Sequence, residues 1–147
     1  METVQEILNS VFDIVLNFSK IFSFNKEAEK MRTMEFYILM FIGLKGPTKM
    51  TDLAKVYSMT KSNITLIIDE MERKNLVHRK RSSSDRRIIH IHLSRKGKAV
   101  FNSFVESFKK AMDKFIQEVP QEDLQVISLG FEKIVSAMKQ IAWDETS

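Results

Sequence analysis

Apolar residues recur every three or four positions near the start of the chain, at Val4, Ile7, Leu8, Val11, Val15, Phe18 and Phe22, which is the period of one helical face. Phe12, Ile14, Leu16, Ile21 and Phe24 spread further apolar surface around the same axis, more than one buried stripe needs. A second helix is expected after Thr33. Its run from Phe36 to Ile42 is apolar enough to pass for a strand, but its methionine content, its length with flanks and the Lys45-Gly46-Pro47 stop mark a buried central helix. Beyond that break the elements shorten. An extended Thr48-Lys49-Met50 leads into about two helical turns from Thr51 to Tyr57, a turn at Ser58-Met59, and a further helix capped by the Thr60 hydroxyl. In that helix Ile64, Ile67, Ile68 and Met71 form the buried stripe. The opposite face is centred on Ser62, Leu66, Asp69 and Arg73, flanked by Lys61, Asn63 and Thr65. Asn75 stands where a left-handed residue ends the helix.

The period then changes from helical to two. Leu76 to Arg81 and Arg87 to Leu93 bracket the polar linker Ser82-Ser83-Ser84-Asp85-Arg86, with Ile89, Ile91 and Leu93 alternating, so a β-hairpin with a polar tip is expected. Ser94 caps a long helix carrying Val100, Phe101, Phe104, Val105, Phe108, Met112, Phe115 and Ile116. Pro120 interrupts it and starts a last helix with Leu124, Ile127, Phe131, Ile134, Val135, Met138 and Ile141. The fold class is therefore mainly α with a small β-hairpin wing. A winged helix-turn-helix core at about 33–98 is flanked by dimerisation helices at about 2–24 and 99–143, in a single domain spanning 1–147.

Charge sharpens this picture. Residues 49–98 hold 13 Lys or Arg against 5 Asp or Glu, while the rest of the chain is net acidic although the whole carries +4. A basic middle between acidic ends is the footprint of a polyanion-binding module. A helix with short hydrogen-bonding side chains near its start fits a major groove, and a basic hairpin tip can follow the backbone or enter the minor groove. The candidate DNA contacts are accordingly Thr60, Lys61, Ser62, Asn63, Thr65, Leu66 and Arg73 on the recognition helix. Those on the wing are Arg79, Lys80, Arg81, Ser83, Ser84, Asp85, Arg86 and Arg87. Double-stranded RNA fits less well, because its narrow major groove does not admit a reading helix.

Several classes of function drop out. With no cysteine there is no disulfide framework, thiolate metal site or thiol redox switch. No nucleophile–base–acid set, phosphate-cradling glycine loop or metal-ligand spacing appears, so neither an enzyme nor a cofactor is expected. The start METVQEILNS lacks a secretory signal, and no uncharged apolar run approaches the roughly 20 residues of a membrane span. A soluble, cytoplasmic protein is the expectation. His78, His90 and His92, the whole histidine complement, can share one face of the hairpin. Without an acid or thiolate beside them, and with Arg79 and Lys80 adding positive charge, exposed strand histidines near phosphate are preferred to a metal site.

From Met50 to Gly97 the order of residues resembles the MarR family of regulators. The similarity is carried by the Leu53-Ala54 pair, the helix start Thr60-Lys61-Ser62, and the exit Glu72-Arg73-Lys74-Asn75-Leu76-Val77. Asp85-Arg86-Arg87 in the wing and Leu93-Ser94-Arg95-Lys96-Gly97 after it complete the pattern. Asn75 in place of a common glycine, and Leu66 where a polar or basic residue is frequent, depart from it. The resemblance implies a homodimer with interleaved N- and C-terminal helices, presenting two winged domains to a pseudo-palindromic operator. It also implies a repressor released by a small aromatic or anionic effector, while the cysteine-based branch of the family is excluded. Val11, Val15, Phe18, Phe104, Phe108, Ile134 and Met138 are the candidate dimerisation residues. In the wing, the Asp85 carboxylate is expected to hold the Arg87 guanidinium for docking. The alternative function is a winged-helix protein–protein adaptor without sequence-specific DNA binding.

Overall fold

A computed structural model describes residues 3–21 and 30–144, with the side chains of residues 18, 19, 21 and 142–144 outside the described set. The expectation of a first helix reaching residue 24, and the dimerisation role of the Phe18 side chain, lie outside the described residues. The chain divides into two compact units, residues 1–107 and 108–147.

The first unit opens with α1 (Val4–Ile21) and α2 (Thr33–Lys45). Arg32, rather than Thr33, is the N-cap residue of α2, and its backbone N–H donates to Glu35 Oε2 at 2.9 Å. Gly46 ends α2 at φ 87°, a left-handed conformation that glycine adopts without a Cβ penalty. There follow the two-residue β1 (Thr48–Lys49), α3 (Met50–Val56), α4 (Lys61–Arg73), β2 (Val77–Arg81) and β3 (Ile89–Leu93). The three strands form an antiparallel sheet in the order β1-β3-β2, with Thr48 opposite Ile91, His78 opposite His92 and Lys80 opposite His90. One sheet face feeds the core through Val77, Ile91 and Leu93, as the period-two pattern requires.

Ile38, Leu39 and Ile42 of α2, Leu53 and Ala54 of α3, and Ile64, Ile68 and Met71 of α4 complete that core with Val100 of the next helix. The Tyr57 hydroxyl donates to the Tyr37 carbonyl at 2.9 Å and ties the end of α3 to α2. At the end of α4, Asn75 has φ 57°, the left-handed residue expected there. Ser94 then starts α5 (Arg95–Glu118): its Oγ accepts from the Gly97 N–H at 3.0 Å and donates to the Asn75 carbonyl. A Cβ on Gly97 would lie 2.0 Å from the Leu76 carbonyl oxygen, so only glycine lets α5 start against the α4–β2 connection.

The boundary between the units falls inside α5. The second unit holds the rest of that helix and α6 (Gln121–Asp144), which follows Pro120. Along α1, Val4, Ile7, Leu8, Val11, Phe12, Ile14, Val15 and Leu16 are all exposed. Leu129, Phe131, Ile134, Val135, Met138 and Ile141 are exposed along α6. No described helix is long and apolar enough to cross a membrane.

Candidate nucleic-acid interface

Helix α4 is held at both ends and along one side, which fixes the direction of its outer face. Thr60 caps it, accepting from the Asn63 N–H at 3.2 Å, while Ile64, Ile68 and Met71 are fully buried beneath it. At the other end Lys74 reaches the buried Glu35 carboxylate, with Nζ 2.9 and 2.8 Å from its two oxygens. Lys61, Ser62, Asn63, Leu66 and Arg73 therefore point outward and are exposed, with Thr65 half-buried. The Thr65 hydroxyl donates to the Lys61 carbonyl at 2.7 Å, so its proton stays within the helix. Leu66 is 66% exposed, so packing within the chain is not the reason for an apolar residue there.

The cations of the site divide into two groups. Arg73 pairs with Glu70 on the same helix. Arg79 is more constrained: its guanidinium binds Asp69 at 2.7 Å and also Glu72, and its backbone N–H donates to Glu72 Oε1 at 3.0 Å. It staples β2 to the flank of α4. Lys80, Arg81, Arg86 and Arg87 of the wing are exposed, and so are Ser83, Ser84 and Asp85. The tip is shaped by local hydrogen bonds. Ser82 Oγ meets Ser84 Oγ at 2.9 Å, the Ser82 N–H donates to the Ile88 carbonyl at 2.9 Å, and the Arg87 N–H donates to Asp85 Oδ1 at 2.9 Å. Asp85 and Arg87 are thus joined through the backbone of Arg87 rather than through its guanidinium.

Between the start of α4 and the base of the wing lies a groove of about 450 Å³. It brings together Lys61, Thr65 and Arg87, which sequence patterning singles out, with Lys49, Met50, Thr51, Ile88 and Ile89, which it does not. Three cations and no acid line it, the arrangement that suits a phosphate backbone. Lys49 escapes sequence reasoning because a two-residue strand has no period, and only its pairing with β3 carries it to the groove. Among the described residues no cluster of three or more His, Cys, Asp or Glu is placed to hold a metal ion.

A short helix, a turn, an exposed recognition helix and a basic wing against a three-stranded sheet define a winged helix-turn-helix DNA-binding protein. The MarR family profile matches residues 33–89, spanning α2 to the first residue of β3. An uncharacterized HTH-type transcriptional regulator of Bacillus subtilis, YpoP, is 33% identical over 107 residues, covering 72% of either chain. The B. subtilis HTH-type transcriptional repressor MdtR is 25% identical over 98 residues, 67% of this chain and 63% of MdtR. Among solved structures, a MarR-like transcriptional regulator of Thermotoga maritima superposes with a TM-score of 0.84 at 33% identity, over 95% of this chain and 99% of that one. Streptococcus pneumoniae FabT, solved in complex with DNA, shares the fold with a TM-score of 0.78 at 23% identity, over 94% and 96% of the two chains. The chain belongs to the MarR family: it is a transcriptional regulator, and neither its fold nor its relatives are those of an enzyme.

Proposed function

We propose that the protein binds double-stranded DNA sequence-specifically as a homodimer and represses transcription from a pseudo-palindromic operator, from which a small aromatic or anionic effector releases it. The observation that carries the DNA contact is the acid-free groove of Lys49, Lys61 and Arg87 beside the outward face of α4. With α4 in the major groove, Ser62, Asn63 and Leu66 meet base edges while the groove cations meet phosphates on either side. Repression is supported by the repressor name of MdtR, and DNA binding by the FabT–DNA complex. The homodimer is supported by the apolar residues exposed along α1 and α6, a load that a monomer in water would not keep uncovered.

Selection of bound sequences from random duplex DNA, followed by titration of the selected site at several salt concentrations, tests this reading. The expected result is an inverted repeat with half-sites about one DNA turn apart, roughly 10 base pairs, and affinity falling steeply with salt. Recovery of no common sequence overturns it in favour of an adaptor role.

A further inference from the structure

The outer face of α4 changes character along its length. Its first turn presents Ser62 and Asn63, whose side-chain hydroxyl and amide have no hydrogen-bond partner among the described residues. One turn further stands Leu66, the only apolar side chain of this helix that is exposed: Ile64, Ile68 and Met71 are buried and Ile67 is half-buried. Beyond it the Asp69 carboxylate is taken by the Arg79 guanidinium at 2.7 Å, and Arg73 pairs with Glu70. Positions three and four apart share a helix face, so Ser62, Asn63, Leu66 and Asp69 form one strip. Within that strip Leu66 is the position that offers neither a donor nor an acceptor.

Three surfaces can be weighed as the one that covers this leucine. Another protein surface would bury Ser62, Asn63, Asp69 and Arg73 with it, and burying polar groups costs free energy unless each finds a partner. The apolar residues exposed along α1 and α6 stand in long rows, whereas Leu66 stands alone among polar neighbours. A phosphate backbone gains nothing from an apolar side chain, and Lys49, Lys61 and Arg87 already line the groove that suits it. The floor of the major groove displays donors, acceptors and a single apolar group, the C5-methyl of thymine. That methyl matches the leucine and leaves the neighbouring polar edges to Ser62 and Asn63.

We propose that Leu66 is a specificity-determining residue that reads a thymine methyl group, selecting a T·A pair in each half-site. With a rise of about 1.5 Å per residue, Leu66 lies about 4.5 Å beyond Asn63 along the axis, on the order of one base-pair step for a helix lying along the groove. The thymine is therefore next to the base pair that Asn63 meets. Apolar contact has no directional bond to aim it, so the helix itself must be fixed. The Thr60 cap, the Lys74 contact with the buried Glu35 and the Arg79 clamp on Asp69 and Glu72 fix it at both ends and along one side. This inference rests on the proposed DNA contact and names what that contact reads at one position.

The test is a uracil scan of the site recovered by selection from random duplex DNA. Each thymine is replaced in turn, in both half-sites together, by deoxyuridine, which keeps every hydrogen-bonding group of the base and removes only the methyl. One thymine per half-site is expected at which uracil weakens binding of the unaltered protein about four-fold per half-site, the worth of one buried methyl. Leu66→Ala, at an exposed position of the helix, should lose a similar factor on the thymine site and respond far less to the same uracil. At that position 5-methylcytosine paired with guanine should bind the unaltered protein more tightly than cytosine paired with guanine. Leu66→Gln keeps the length of the side chain and removes its apolar end, so its own selection should no longer demand thymine there. Affinity that no uracil alters, a uracil loss that Leu66→Ala retains in full, or an undiminished demand for thymine by Leu66→Gln overturns the methyl contact and leaves the proposed DNA binding standing. Recovery of no common sequence by the unaltered protein overturns the sequence-specific reading and this contact with it.

Discussion

Asp85 meets Arg87 through a single backbone hydrogen bond, so its expected part in DNA binding is to shape the tip of the wing. Arg87→Ala is expected to weaken operator binding and lower the slope of log affinity against log salt by about one, for the loss of one phosphate contact. Asp85→Ala should weaken binding too, because an unshaped tip must be ordered on docking. Asp85→Asn separates shape from charge: it keeps the acceptor and removes a negative group beside DNA, so its affinity should equal or exceed that of the parent. Titrating the three variants against one operator at several salt concentrations checks all of this, and an Asp85→Asn protein as weak as Asp85→Ala would sink the turn-shaping role.

His92 makes a second residue-scale prediction, about stability. Its folded pKa lies below the ordinary value, through burial first and then the neighbouring cations, so the unfolded chain binds the proton more readily. Stability from this group is therefore present above the unfolded imidazole pKa and is lost as pH falls from there towards the folded value. Urea denaturation across that window should show stability dropping as the solution is acidified, and His92→Gln should flatten the part due to this residue.

At the scale of elements, α4 is oriented by what grips it more than by its own propensity. Arg79 binds Asp69 and Glu72 and is only a quarter exposed, which marks it as a positioning residue for the helix. Both of its partners reach solvent, so Arg79→Ala should cost about 1 kcal/mol of stability. It should change the salt slope of DNA binding less than Lys61→Ala does. Equal losses of slope would instead make Arg79 a phosphate contact. Gly97→Ala perturbs the opposite end: a methyl group 2.0 Å from the Leu76 carbonyl forces α5 away from the α4–β2 connection and loosens the Ser94 cap. A loss of about 1–3 kcal/mol in urea denaturation is expected, whereas a melting curve like the parent's would show that the connection yields easily.

Apolar residues are exposed along both α1 and α6, and the proposed homodimer is the arrangement that covers them. Val11→Asp combined with Met138→Asp should shift sedimentation towards the monomer and reduce operator affinity far more than the loss of any one phosphate contact, because two half-sites then bind independently. A stable folded monomer of the unaltered protein at micromolar concentration would remove the dimer. With no cysteine, peroxide is expected to leave DNA binding free of any effect that a thiol reductant reverses.

Much of this protein was legible along the chain because its signals are local. The stripe Ile64, Ile68 and Met71, the Thr60 and Ser94 caps, the left-handed Asn75 and the alternation Ile89, Ile91, Leu93 each follow from spacings of two to four residues, and each is met in the structure. The outward face of α4 followed as the complement of the buried one. What spacing could not decide is which distant groups meet. Arg79 reads as one more wing cation until Asp69, ten residues earlier, and Glu72 are folded against it. Glu35 and Lys74 are 39 residues apart and pair only because α2 packs beside the end of α4. Lys49 enters the basic groove through sheet pairing. Periodicity and capping are properties of neighbours along the chain, whereas charge pairing and grooves depend on distances in space that only the packed core sets.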